Sequence, residues 1–320
     1  MAEAGAAVAM TAREGQTFAD RGSRLVAYVN LVKLPHTVFA LPFALVGVTF
    51  ASYRRPLHLR EVVWVVVAFT AARFAAMAFN RIADREYDAR NPRTAMREIP
   101  RGVLTVREAW ASVIVASLVF GLAAAMLNPL CLLLSPVALA WVFFYSHTKR
   151  FTRWAHLALG MGTAIAPVGG YLAVAGRWSQ PWWMLAVLAI AVMTWVGGFD
   201  VFYSLADAEF DRANALHSLP STMGEAAAIR IAHVLHVITI VCLALAGVAT
   251  HGGALYWTGV VVAAGILAYE HSLVRPGDLS KLDAAFFSMN GMLSLTFFFF
   301  VLAERLRPLL ALGMGLGGHR

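Results

Sequence analysis

Charged side chains are scarce in this sequence. Only 14% of its 320 residues are Asp, Glu, Lys or Arg and 60% are hydrophobic, whereas charged residues make up about a quarter of an ordinary soluble domain. A soluble protein of this length needs far more polar surface. The composition therefore excludes a soluble enzyme and a disordered chain, and it predicts a polytopic membrane protein.

Cysteine and lysine are also rare. The two cysteines, Cys131 and Cys242, lie in separate apolar runs, so we expect free thiols and not a disulfide or a metal site. Of the 26 basic residues only three are lysines, and the net charge is +8. Because these residues lie between apolar runs and not in a solvated basic domain, they indicate the positive-inside bias of membrane proteins and exclude nucleic-acid binding.

Nine apolar runs are each roughly long enough to cross a bilayer, which takes about 20 residues in a helix. They predict an all-α, polytopic bundle of nine transmembrane helices. The runs are 26–53, 61–80, 108–127, 129–146, 154–175, 182–205, 227–249, 255–273 and 282–304.

The remaining segments predict the domain boundaries and the orientation. Residues 1–24 lack the apolar core of a signal peptide and indicate a polar cytoplasmic tail, 25–305 form one transmembrane domain, and 306–320 form a short C-terminal tail. With the N-terminus inside, the inner segments carry 16 basic residues and the outer segments seven. This bias favours a cytoplasmic N-terminus.

Five of the eight aspartates fall in two short stretches, each at the cytoplasmic end of a predicted span. Within each stretch the polar residues recur every three or four positions, which places them on one face of a helix. Two such helices can offer their carboxylates to a common cavity. The stretches are Asn80-Arg-Ile-Ala-Asp84-Arg-Glu-Tyr-Asp88 and Asp200-Val-Phe-Tyr203-Ser-Leu-Ala-Asp207-Ala-Glu-Phe-Asp211.

Clustered carboxylates at a membrane boundary repel one another, and each is costly to desolvate unless a cation neutralises it. Ligands that offer only oxygen select a hard ion, which is Mg²⁺ or Mn²⁺, and Mg²⁺ usually shares its carboxylates with phosphate oxygens. We therefore predict Asp84, Asp88, Asp207 and Asp211 as metal ligands beside a diphosphate. Solvated loop acids and an ion-transport path are the alternatives, although these acids lie at one face and do not cross the membrane.

A basic loop follows the first stretch, and a short basic connection follows the fourth span. Arginine matches phosphate oxygens with two parallel hydrogen bonds, so Arg85, Arg93 and Arg97 are candidates for binding a diphosphate. Lys149 and Arg150 lie in the short connection. They are predicted to contact either the diphosphate or the carboxylate of an acidic acceptor, with anchoring at the lipid headgroups as the alternative.

Together these residues resemble a known family. The two stretches are similar to the two aspartate-rich motifs of the UbiA superfamily of intramembrane prenyltransferases, and so are the run from Asn80 through Arg97 to Gly102 and the segment Lys149-Arg150-Phe-Thr. The resemblance covers residues 25–305 and is strongest to the 4-hydroxybenzoate polyprenyltransferase-like branch. The segments 34–43 and 269–273 look closest to the prenyltransferase of the futalosine route to menaquinone.

The resemblance implies nine helices around a central, lipid-accessible cavity that binds Mg²⁺ and a polyprenyl diphosphate on the cytoplasmic side of a bacterial inner membrane. The implied activity is Mg²⁺-dependent transfer of the polyprenyl group to a small aromatic acid in quinone biosynthesis. The acceptor is of the 4-hydroxybenzoate (ubiquinone) or 1,4-dihydroxy-6-naphthoate (menaquinone) type. Chain length, acceptor and oligomeric state are not fixed by the sequence.

The chemistry of such a transfer suggests roles for single residues: Mg²⁺ and arginines stabilise the leaving diphosphate, and an electron-rich ring attacks the cation-like carbon. Asp200 would orient or deprotonate the phenol, and Tyr203 would orient Asp207 or the diphosphate. Asn80 would bind the diphosphate, and Lys149 and Arg150 would act in catalysis. Alternatives are a family member with a chlorophyll, heme or lipid acceptor, and an ion-coupled transporter.

Overall fold

The computed structural model of the chain describes residues 23–32, 34–282 and 288–315, and the side chains of 34–39 and 308–315 are not described. Most of the predicted N-terminal tail, part of the ninth predicted span and the end of the predicted C-terminal tail lie outside the described residues. The described ranges contain thirteen α-helices and one 3-10 helix. The all-α prediction is confirmed for these ranges.

The helices are numbered here in chain order. They are α1 (Arg24–Leu31), α2 (Leu34–Ser52), α3 (Leu59–Ala83), α4 (Arg85–Arg90), α5 (Val106–Leu127), α6 (Pro129–Phe144), the 3-10 helix (Tyr145–Arg150), α7 (Ala155–Ala175), α8 (Trp183–Leu205), α9 (Ala208–Ala213), α10 (Leu219–Met223), α11 (Glu225–Ala249), α12 (Ala254–Leu273) and α13 (Asn290–Gly315).

Six helices in the described ranges are long and apolar enough to cross a membrane: α3, α5, α6 with its 3-10 extension, α7, α8 and α11. The other three predicted spans correspond to α2, which includes a shorter apolar helix over Ala40–Ser52, and to α12 and α13. The first predicted span is divided into two helices: α1 ends at Leu31, and α2 begins at Leu34. Pro35 lacks an N–H and its ring would clash with a preceding helical turn, so a helix begins anew there.

The tight turn between α5 and α6 is formed by a single residue, Asn128. It ends α5, and its side-chain oxygen accepts a hydrogen bond from the N–H of Cys131 (2.9 Å) in the first turn of α6. Its amide nitrogen donates to the carbonyl of Leu172 (2.9 Å) near the end of α7. Asn128 therefore caps one helix and fixes α6 against α7.

The centre of the bundle is formed by α2, α7 and α8, whose backbones touch. A Cβ atom at Gly170 of α7 would lie 2.1 Å from the carbonyl oxygen of Ala44 in α2, and one at Gly160 would lie 2.2 Å from that of Met193 in α8. Only glycine permits such close approach between membrane helices. These contacts fix the position of α8 relative to α7, and each of the two helices carries residues of the site described next.

Candidate active site

Both aspartate motifs bend at an aspartate inside the motif. Asp84 separates α3 from α4, and Ala206 and Asp207 separate α8 from α9. Hydrogen bonds of helical spacing continue across the first bend, since the N–H of Asp84 donates to Asn80 (2.9 Å) and that of Asp88 donates to Asp84 (2.8 Å). Each motif therefore consists of two short helical segments, and its side chains before and after the bend still face nearly the same side.

The two motifs line one cavity of about 260 Å³. The prediction that they converge on a common cavity is confirmed. Eleven of the twelve predicted site residues line it: Asn80, Asp84, Asp88, Arg93, Arg97, Lys149, Arg150, Asp200, Tyr203, Asp207 and Asp211.

Arg85 is the predicted site residue that does not line this cavity. Its guanidinium bonds to the carboxylate of Glu86 (2.8 Å) and to the carbonyl of Ile82 (3.0 Å). Neighbouring side chains on a helix point about 100° apart. Because Asp84 faces the cavity, Arg85 faces away from it, and a direct contact of Arg85 with a ligand there is not supported by its position.

Asp207 is held by the loop that follows α4. Its carboxylate accepts hydrogen bonds from Nε of Arg93 (2.8 Å) and from the amide of Asn91 (2.9 Å). Burial alone would raise the pKa of Asp207, but the neighbouring guanidinium of Arg93 and the other donors outweigh it and lower the pKa below its ordinary value. The Arg93 guanidinium also lies 4.6 Å from the ring centre of Tyr203. Asn91 was missed in the sequence because nothing in its spacing connects it to Asp207.

Asp88 is paired with Arg97 in the same loop. Nη1 of Arg97 lies 2.6 Å from Oδ1 of Asp88, and both side chains are largely buried. Burial disfavours the charged guanidinium, but the carboxylate outweighs this and raises the pKa of Arg97. Oδ2 of Asp88 is buried and has no hydrogen-bond partner among the residues that the structure describes. This oxygen is therefore available to a ligand.

Asp84 and Asp211 are paired more loosely. Asp84 accepts a hydrogen bond from the amide of Asn80 (2.9 Å) and lies 3.8 Å from Arg150, while Asp211 lies 3.4 Å from Nζ of Lys149. Burial and then repulsion from Asp88 raise the pKa of Asp84 to about 6. An ionised Asp84 is thus electrostatically unfavourable in these surroundings.

The carboxylates fit a hard cation that shares its ligands with a second molecule. Among the described residues, no three His, Cys, Asp or Glu side chains are grouped closely enough to form a complete metal site. The donors are all oxygens, however, and Asp88 offers a buried oxygen without a partner. One or two carboxylates together with phosphate oxygens are the usual surroundings of Mg²⁺. The residues therefore suit Mg²⁺ bound jointly with a diphosphate.

Asp200 lies deeper in the bundle than the other aspartates and has a buried partner. Oδ2 of Asp200 lies 2.7 Å from Nδ1 of His156, in the first turn of α7. The His156 side chain has no exposed surface. The two residues are 44 positions apart, so no sequence spacing links them, and His156 was not predicted as a site residue.

A second, apolar cavity of about 570 Å³ lies next to the first. It lies among α2, α3, α5, α6 and α7, and the two cavities share Ala40, Arg73, Tyr145, Leu159 and Thr163. Nε of Arg73 is buried, and no described residue forms a hydrogen bond with it. The sequence did contain a signal for Arg73, since it is a lone charge inside a predicted span and such residues are usually functional.

Comparison with known proteins gives consistent matches. A family model described as the UbiA prenyltransferase family matches residues 40–302. The 4-hydroxybenzoate octaprenyltransferase of Alkalilimnicola ehrlichii is 30% identical over 240 residues, which are 75% of this chain and 80% of that protein. The protein of the same name from Aromatoleum aromaticum is 29% identical over 284 residues, 85% of this chain and 92% of that protein.

Solved structures of similar proteins have the same fold. The apo structure of a UbiA homolog from Aeropyrum pernix matches with a TM-score of 0.74 and 30% identity, over 86% of this chain and 98% of that chain. A UbiA homolog from Archaeoglobus fulgidus bound to DMAPP and Mg²⁺ matches with a TM-score of 0.66 and 19% identity, over 87% and 98% of the two chains. The second likeness shows the shared fold only.

The different pairing of Asp84 and Asp88 predicts opposite effects on stability. A carboxyl group whose pKa is raised by folding destabilises the folded state at any pH at which the group is ionised. Asp84→Asn should therefore stabilise the purified protein by roughly 2 kcal/mol at pH 7. The gain should shrink as the pH falls through 6 towards 4. Asp88→Asn should instead destabilise by about 3 kcal/mol, because it leaves the buried Arg97 unpaired.

Thermal unfolding in detergent with EDTA, at pH 7 and at pH 4.5, measures both effects. Equal destabilisation by the two substitutions would contradict this electrostatic account of the site.

Proposed function

The chain belongs to the UbiA prenyltransferase family, and we propose that it transfers a polyprenyl group from a polyprenyl diphosphate to a phenolic aromatic acid. One observation carries this proposal: both aspartate motifs line a charged cavity that shares lining residues, Arg73 among them, with a neighbouring apolar cavity. The charged end suits a diphosphate, and the apolar end suits a hydrocarbon tail. The names of the similar curated proteins make 4-hydroxybenzoate the first acceptor to test.

The charges of the cavity lining are nearly balanced. The lining holds six basic side chains and five aspartates, namely Arg73, Arg81, Arg93, Arg97, Lys149, Arg150, Asp84, Asp88, Asp200, Asp207 and Asp211. A diphosphate ester carries about three negative charges, and Mg²⁺ neutralises two of them. Mg²⁺ and the diphosphate together carry only a small net negative charge, which suits a lining with slightly more basic than acidic side chains. A path for cations alone would not need the six basic residues.

Arg93, Arg97 and Lys149 would hold the leaving diphosphate. Each is already paired with an aspartate of the motifs, so each lies where the phosphate oxygens meet the carboxylates. Asp84, Asp88, Asp207 and Asp211 would hold Mg²⁺, which supplies positive charge to the departing diphosphate. The buried surroundings exclude water from the allylic carbon as its bond to oxygen breaks. The ring carbon of the acceptor then forms the new carbon–carbon bond.

Arg73 is the best candidate for binding the carboxylate of the acceptor. It lies seven positions before Asn80 on the same helix, and therefore about 10 Å deeper in the bundle along α3. A guanidinium whose Nε is buried and has no hydrogen-bond partner among the described residues favours an anionic ligand. Arg150, which the sequence offered for this role, bonds to the carbonyl of Ala83 (2.7 Å) and lies near Asp84. Its position favours the diphosphate end.

The apolar cavity would hold the first isoprene units of the donor. Its lining is mostly aliphatic and aromatic and includes Phe69, Phe120 and Trp141. A polyprenyl chain offers no hydrogen bonds and gains binding energy by leaving water, so it needs such a surface.

We further propose a bacterial inner-membrane location with the charged cavity facing the cytoplasm. In this proposal α2, α12 and α13 join the six membrane helices to give nine spans. The excess of basic residues in the inner segments supports this orientation, and so do the bacterial sources of the similar curated proteins.

The activity and its metal dependence can be tested together. The purified protein should form prenylated acid from a polyprenyl diphosphate and either 4-hydroxybenzoate or 1,4-dihydroxy-6-naphthoate, with EDTA abolishing turnover and Mg²⁺ restoring it. Alanine at Asp88 or Asp211 should lower kcat about 100-fold or more. Asp278→Ala, in an exposed loop outside the cavity, should remain active. No product with either acceptor, or full activity of both cavity variants, would refute the proposal.

A comparison of two arginines tests the acceptor site. Arg73→Leu should raise KM for the aromatic acid about 30-fold and leave KM for the prenyl diphosphate within about threefold, since a buried charge-assisted contact is worth about 2 kcal/mol. Arg150→Leu should raise KM for the diphosphate instead. Steady-state kinetics with each substrate varied in turn would show this. The assignment fails if Arg150→Leu is the variant that weakens the acid.

Two glycines offer a matched test of the tail cavity. A Cβ atom at Gly169 or at Gly265 would meet no atom within 4 Å, but only Gly169 lines the apolar cavity. Gly169→Phe should therefore lower kcat/KM for long polyprenyl diphosphates much more than for dimethylallyl diphosphate. Gly265→Phe on α12 should change neither value. If both donors lose activity equally in Gly169→Phe, the tail does not bind there.

Cysteine labelling tests the orientation. In a background without Cys131 and Cys242, Met96→Cys and Trp178→Cys provide two equally exposed positions, each 44% exposed. A membrane-impermeant maleimide added to intact spheroplasts should label position 178 and should reach position 96 only after lysis. The reverse pattern would overturn the proposed topology.

A further inference from the structure

His156 is a polar side chain enclosed in the core, with both ring nitrogens bonded. Its side chain has no exposed surface. Nδ1 lies 2.7 Å from Oδ2 of Asp200 on α8, and Nε2 lies 3.2 Å from the backbone nitrogen of Leu219, the first residue of α10. The ring therefore joins the first turn of α7 to two other parts of the chain.

These two partners fix the position of the ring proton. The backbone N–H of Leu219 can only donate a hydrogen bond, so Nε2 must accept it and carries no proton. A neutral imidazole then carries its proton on Nδ1 and donates it to Asp200. Asp200 is held as a hydrogen-bond acceptor by a ring that cannot turn without breaking its bond to α10.

The second oxygen of Asp200 is left for the cavity. Oδ1 makes no hydrogen bond to any described residue, and Asp200 lines the charged cavity with about a fifth of its side chain exposed. Because His156 occupies Oδ2, the orientation of the carboxylate is determined, and its open oxygen is the one that can meet a ligand.

We propose that His156 is a positioning residue that holds Asp200 so that Oδ1 accepts the phenolic proton of the acceptor. This inference rests on the proposed function. As the bond between C1 and oxygen of the donor breaks, its electron pair leaves with the diphosphate, and a ring carbon of the acceptor bonds to C1. That carbon then loses its proton to an oxygen of the departed diphosphate as the ring becomes aromatic again, and the phenol oxygen regains the proton held by Asp200.

The same ring also fixes the segment that follows the second motif. Leu219 begins α10 beside Ser218, whose side chain caps that helix, and the backbone N–H of His217 donates to the carbonyl of Lys149 (2.6 Å). If His156 were important only for the structure, its replacement would act by releasing this segment from the broken hydrogen bond to Leu219. The two roles predict different kinetics, because only the positioning role depends on the Asp200 carboxylate.

Three variants and one double variant test the proposal. His156→Leu removes both hydrogen bonds, whereas His156→Gln keeps an amide that can donate to Asp200 and accept from Leu219. We expect His156→Leu to lower kcat about 10- to 100-fold with both KM values within about twofold of the wild type. We expect His156→Gln to recover most of the rate. In Asp200→Asn, the further change His156→Leu should have no additional effect on kcat.

Several outcomes would overturn the proposal. These are a folded His156→Leu variant with full kcat, an additive loss in the double variant, a rise in both KM values without a loss of kcat, or a His156→Gln variant as slow as His156→Leu. If His156→Leu does not fold, a low kcat in a folded His156→Gln variant decides against the proposal and a nearly normal kcat supports it. Absence of any prenylated product from the wild-type protein would instead refute the proposed function itself.

Discussion

The structure depends on keeping charges of both signs close together at the end of a membrane bundle. An isolated carboxylate or guanidinium there is costly, and a pair is tolerated only with good geometry and further hydrogen bonds. Arg93 with Asp207 meets this requirement with the added hydrogen bond from Asn91, whereas the pair of Arg97 with Asp88 leaves one carboxylate oxygen open for a ligand. Because both arginines lie in the loop after α4, the pairs draw that loop over the cavity and join the first motif to the second.

These ion pairs also explain why the site suits a metal and an anion together. Each aspartate assigned to Mg²⁺ lies within 4 Å of a basic side chain, and three of these basic side chains are assigned to the diphosphate. A diphosphate alone would take the arginines from their carboxylates, and a cation alone would take the carboxylates from their arginines. Either change leaves buried charges unpaired, so the two ligands should bind best together.

The sequence predicted the parts of the site that depend on local spacing. Polar residues three or four positions apart on two helix ends were enough to predict a shared cavity. The apolar runs 108–127 and 129–146 leave only Asn128 between them, which requires a tight turn there. The bends at Asp84 and Asp207 were not predicted, because they depend on packing between distant segments. The pairing of His156 with Asp200 joins two helices through tertiary contact alone. Arg85 does not line the cavity, because a residue next to Asp84 in sequence points about 100° away from it on the helix.

The central claim is that one cavity binds Mg²⁺ and a prenyl diphosphate by exchanging its internal ion pairs for new ones. The most direct test is the affinity of the purified protein for a non-reactive prenyl thiodiphosphate, measured by calorimetry with and without Mg²⁺ and then for Mg²⁺ with and without the analogue. The account predicts that each ligand strengthens the binding of the other by the same factor, as linkage requires, and that this factor is about 10 or more. Independent binding of the two ligands would contradict it.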